Sequence, residues 1–116
     1  MNHLNKTTLK KDTKMKNLQV ALKNVPAIKS YQWDASTIDM VECFELPVIT
    51  ITKSDFNNCL AILTSEAGEK NDCAFIYDDF GMCEIVDVCE PLKAWAKKYG
   101  FYFECLWSGT YGLYEA

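Results

Sequence analysis

An α+β single domain, built as an antiparallel sheet of hairpins with two or three helices packed on one face, is the fold class this sequence predicts. Three observations point to it. Apolar residues recur at three- and four-residue spacing in 15–25, 56–67 and 92–99. Alternating or β-branched runs fill 38–52, 73–88 and 101–115. Proline, glycine and aspartate stand between these segments, where turns need them. The 116 residues and 13.2 kDa fit one domain with a core of ordinary size.

Residues 1–14 are polar and lysine-rich and are expected to form a disordered tail, leaving 15–116 as the domain. Met15, followed by Lys16, is an alternative start. Met15, Leu18, Ala21, Leu22 and Val25 make the apolar stripe of a first helix, which Pro26 should end near Val25. In TIDMVECFEL, Ile38, Met40, Phe44 and Leu46 fall on one face of a strand, with Glu42 as the exception among them. Pro47 interrupts, and VITIT (48–52) reads as a short β-branched strand beside a turn or a sheet edge.

Ser54 is a candidate N-cap with Asp55 in the first turn. Phe56, Cys59, Leu60, Leu63 and Ala67 then line a second helix that ends at Gly68. CAFIY (73–77), a DDFG turn and MCEIVDV (82–88) predict a hairpin. Pro91 opens a third helix lined by Leu92, Trp95, Ala96 and Tyr99 and closed by Gly100. Finally Phe101 to Trp107, the turn Ser108-Gly109 and TYGLYE form a closing hairpin. A two-residue turn would set Phe103 opposite Tyr114 and Cys105 opposite Gly112.

Charge is segregated. Residues 1–30 hold seven lysines against Asp12, and 31–89 hold twelve carboxylates against Lys53 and Lys70, a balance of −10. Arginine is absent, which disfavours sequence-specific DNA reading, where arginine is the usual partner of guanine. No apolar run reaches the roughly 20 residues of a membrane helix. The opening residues lack the apolar stretch of a secretory signal, so the expected location is cytoplasmic. The six cysteines, mostly in apolar surroundings, are expected to be reduced core thiols rather than a disulfide framework.

Candidate chemistry is sparse. The letters DFG at 79–81 lack every companion motif of a kinase. Asp78, Asp79, Glu84 and Asp87 form an acidic run, but neither calcium-loop spacing nor a lysine two residues after Glu84 accompanies it. No CxxC pair is present, and His3 is the only histidine, so no zinc site and no Cys–His nucleophile is expected. Cys89, just before the Pro91 helix, is the one thiol placed for helix-dipole activation. Glu42 is a candidate for a perturbed carboxylate. Trp33, Trp107, Tyr111 and Tyr114 suit protein binding better than base stacking, because their neighbourhood is not basic.

No catalytic residue, metal or cofactor is therefore expected. The favoured function is a small acidic protein-binding module. It would act as an inhibitor that occupies a basic surface of a target protein, including the nucleic-acid grooves of nucleases and effector complexes. The profile is that of inhibitors carried by phages or mobile elements against host defence, and of immunity proteins and antitoxins. The candidate partner-binding residues are Asp34, Asp39, Glu45, Asp72, Asp78, Asp79, Trp107, Tyr111 and Tyr114. The alternatives are a small metal- or thiol-dependent hydrolase and a module that touches nucleic acid or anionic lipid through the lysines of 6–29.

Overall fold

The computed structural model describes residues 6–52, 58–65, 72–78 and 84–116, with backbone alone at 6–14 and at Asp72. The chain is mixed α+β. Its strands are antiparallel but lie in three sheets rather than the single one expected, and two helices are formed among the described residues.

The central sheet has the order β3-β4-β8-β7, with β3 at Ile49–Ile51, β4 at Ala61–Thr64, β7 at Phe101–Trp107 and β8 at Thr110–Glu115. Two hairpins, β1–β2 (Ile28–Asp34 and Asp39–Glu45) and β5–β6 (Phe75–Tyr77 and Ile85–Val88), pair only within themselves among the described residues. Ala61, Leu63, Tyr111, Leu113 and Phe101 are buried on one face of the central sheet, with Phe103 half-buried beside them. Against that face lie α1 (Lys6–Lys23), α2 (Glu90–Lys98) and the β5–β6 hairpin. Trp95 of α2 stands at the junction. Its ring centroid is 6.2 Å from that of Phe103, and its indole Nε1 donates to the carbonyl of Ala21 at 2.8 Å. A buried indole N–H is thereby satisfied, and the two helices are tied together.

The expected helix over 54–67 is replaced, where it is described, by strand β4. The residues 53–57, 66–71 and 79–83 lie outside the described chain, and with them Ser54, Asp55, Gly68 and Asp79. Cys59, Ala61 and Leu63 are buried while Leu60, Ile62 and Thr64 are half-buried, which is a period of two. β4 sits between β3 and β8, and the residues of its half-buried side, Leu60 and Ile62, are apolar like those of its buried side, so its apolar run is nearly continuous. Such a run is ambiguous between strand and helix.

The other expected elements form, with shifted ends. α1 begins at Lys6, so the lysine-rich segment 6–14 is its first half. It stops at Lys23, where the Asn24 amide donates to the Val20 carbonyl at 2.8 Å. β3 is an edge strand. α2 has Pro91 in its first turn and buries Leu92, Trp95 and Ala96. Strand β1 was not anticipated from the sequence.

The closing hairpin is offset by one residue from expectation. Trp107 pairs with Thr110 around Ser108-Gly109, but a bulge then places Cys105 opposite Tyr111, Phe103 opposite Leu113 and Glu104 opposite Gly112. One extra residue in the bulged strand moves every later partner by one. Gly109 takes a φ of +76°, open to glycine at little cost.

An ion pair anchors the start of α2. Lys93 Nζ donates to Asp87 Oδ2 at 2.7 Å and reaches Glu90 at 3.1 Å. The Lys93 ammonium holds the Asp87 carboxyl below its ordinary 3.8. A carboxyl with a depressed folded pKa stabilises above its unfolded value and loses that contribution as pH falls through the folded one. Asp87→Asn should cost about 0.5–1 kcal/mol at neutral pH, the range for a largely solvated pair. Urea melts should show the two proteins converging below about pH 4.

Candidate functional site

The β1–β2 hairpin is where the structure and ordinary packing part company. Its register pairs Lys29 with Phe44, Tyr31 with Glu42 and Trp33 with Met40. Directly opposed residues share a face, so these six side chains form one side of the ribbon. The other side carries Ile28 with Glu45, Ser30 with Cys43, Gln32 with Val41 and Asp34 with Asp39.

That second side is fastened to the body at its base. Ile28 and Ser30 are buried, and Ser30 Oγ lies 3.0 Å from Cys43 Sγ. Gln32 donates to Glu45 Oε1 at 2.8 Å. The first side faces solvent. Tyr31 is 57% exposed, Met40 51%, Trp33 61% and Phe44 63%. Sequence alternation correctly places Met40, Glu42 and Phe44 together, but the shared face is a surface and not the core.

Glu42 is accordingly no buried carboxylate. It receives Lys29 Nζ at 3.3 Å, and the same ammonium stands 5.5 Å from the centre of the Tyr31 ring. The Tyr31 side chain and then Glu42 hold the Lys29 ammonium above its ordinary range. An aromatic ring beside a carboxylate is thus already shown here to accept a cation.

The tip adds two features that oppose hairpin stability. Ile38 adopts a φ of +53°, a left-handed conformation that is a marked outlier for a β-branched side chain. Its side chain is nevertheless largely exposed. Asp34 and Asp39 stand opposite one another, and like charges so placed repel. Each is relieved locally. Asp34 Oδ1 accepts from Ser36 N at 2.9 Å and Ser36 Oγ at 2.7 Å, while Asp39 Oδ1 accepts from Met40 N at 2.7 Å. The Ser36 bonds lower the Asp34 pKa, so this carboxylate keeps its charge.

Of the expected binding residues, the structure brings together Asp34, Asp39 and Glu45 on the inner side of this hairpin. The backbone of Asp72 lies in a short 3-10 turn (Asp72–Ala74) that packs against β1. Asp78 belongs to a different hairpin, following β5, where its N–H donates to the Glu84 carbonyl at 2.9 Å. Trp107 is exposed at the end of β7, away from the β1–β2 ribbon in the pairing order. Tyr111 and Tyr114 are buried in β8, so they support the sheet and present no surface. Their hydroxyls are pushed above the ordinary value, chiefly by burial.

The residues of this exposed face that the sequence did not offer as candidates for binding are Tyr31, Ile38, Met40 and Phe44. One signal was available. A strand face that includes Glu42 opposite a segment holding Lys29 places charges in the middle of its apolar residues, which a core face avoids.

The cysteines are less uniformly buried than expected. Cys59 is buried, Cys43, Cys73 and Cys89 are half-buried and Cys105 is exposed. All five are free thiols, and Cys83 lies outside the described residues. Cys89 occupies the N-cap position of α2 without a side-chain cap hydrogen bond, and burial, the largest influence on it, raises its pKa. Alkylation of native, unreduced protein should modify Cys105 first and Cys59 last. After denaturation all six cysteines should react.

Among the described residues, no group of three or more His, Cys, Asp or Glu side chains is placed to hold a metal ion. No described helix is long and apolar enough to cross a membrane. No protein-family model, curated protein or solved structure matches this chain.

Proposed function

We propose that this chain is a non-enzymatic protein-binding module whose binding surface is the outer face of the β1–β2 hairpin. The reading is supported by one observation. Exposed Tyr31, Trp33, Met40 and Phe44 share a projecting ribbon with Asp34, Asp39, Glu42 and Glu45. Large aromatic and Met side chains are enriched in the centres of interfaces, with charges at the rim. The left-handed Ile38 and the Asp34–Asp39 opposition weaken the free hairpin, and strain of this kind gathers where a function needs it.

The partner favoured by this surface is a protein with a basic face, to which the carboxylates steer it. A role as an inhibitor that covers such a face, nucleic-acid grooves included, is the form of this activity that best suits a small acidic domain. Phage- or mobile-element-borne anti-defence proteins and immunity proteins work in this way.

Affinity purification of the tagged full chain from its native host, at low and physiological salt, tests the proposal. A specific partner should be captured by the native chain and lost with Trp33→Ala combined with Phe44→Ala. Capture should weaken as salt rises, because the screening length falls to about 8 Å. A partner held equally by the double variant would overturn this assignment of the surface.

A further inference from the structure

We draw no further inference here: the strongest candidate, the exposed apolar stripe of the β1–β2 hairpin with the groove at its base between Leu22, Val25, Leu46 and Ile49, carries nothing beyond the surface already proposed, because nothing in the structure shows what covers it.

Discussion

Deletion of residues 108–116 is expected to abolish the cooperative thermal transition of this protein. β8 is the interior strand between β4 and β7, and Thr110, Tyr111, Gly112, Leu113 and Tyr114 are all buried. Each large apolar side chain removed forfeits about 2–3 kcal/mol of burial. The deletion also strips the ladder partners from both flanking strands and uncovers Phe101 and Phe103. Domain stability of about 5–15 kcal/mol cannot absorb these losses together. A truncated chain that melts cooperatively near the full-length protein would refute the role of β8.

A finer probe of the same strand is Gly112→Val. A Cβ there would lie 2.9 Å from Cys59 Sγ, 2.9 Å from Tyr114 Cε2 and 3.2 Å from Leu106 Cδ1. The Tyr114 ring stacks on Tyr102 with centroids 5.7 Å apart, so it yields only by disturbing that pair. A cost of about 1–3 kcal/mol is expected from overpacking, read as a lowered midpoint in urea. The missing side chain at Gly112 leaves room for these neighbours, although its partner across the hairpin is Glu104 and not the expected Cys105.

What the sequence made legible were the elements whose pattern and punctuation agree. α2 has proline at its start, glycine after its end and a one-sided apolar stripe. The closing hairpin has its Ser108-Gly109 turn, and β5–β6 its alternation. Illegible were the features decided by neighbours far along the chain. β4 reads as a helix because Leu60 and Ile62, on its half-buried side, are apolar too and remove the alternation from the sequence. The bulge near Leu106 depends on how β7 meets β8 and has no local marker. The segment 28–34, with lysine, serine and glutamine among its aromatics, lacks a strand pattern, because one of its sides is anchored only at the base.

The candidate surface was half legible for a related reason. Alternation locates the shared face of Met40 and Phe44, yet it cannot say whether a third layer covers it. Trp33 was recognisable as an interface residue by type, whereas Tyr111 and Tyr114 have the same chemistry and lie in the core. The acidic segment 31–89 was evident from composition alone. Its division between the β1–β2 ribbon, which holds Asp34, Asp39, Glu42 and Glu45, and the separate position of Asp78 required the fold.

The combined substitution Trp33→Ala and Phe44→Ala should weaken binding to the native partner by about 100-fold or more, the loss expected when two central anchors are truncated. Surface plasmon resonance should show the change mainly in the dissociation rate, because desolvated apolar contacts form after encounter. Both side chains are more than half exposed, so the urea midpoint should move by no more than about 0.5 kcal/mol equivalent. That pairing of a large binding loss with an intact fold separates an interface from a misjudged core.

Reversal of Asp34 and Asp39 to lysine should act on the other rate. Association should slow, and the remaining rate should lose its salt dependence, because steering acts before contact. Two opposed lysines repel as the two aspartates do, and the variant loses the bonds from Ser36 to Asp34 and from Met40 to Asp39. The tip should therefore lose some stability while the rest of the fold is unchanged. Reversal at Asp78, on the other hairpin, should change association less. If the Asp78 variant slows association more than the Asp34 and Asp39 pair, the binding surface lies on β5–β6 instead. If the double aromatic variant binds at the native rates, the exposed rings of β1–β2 have no part in recognition.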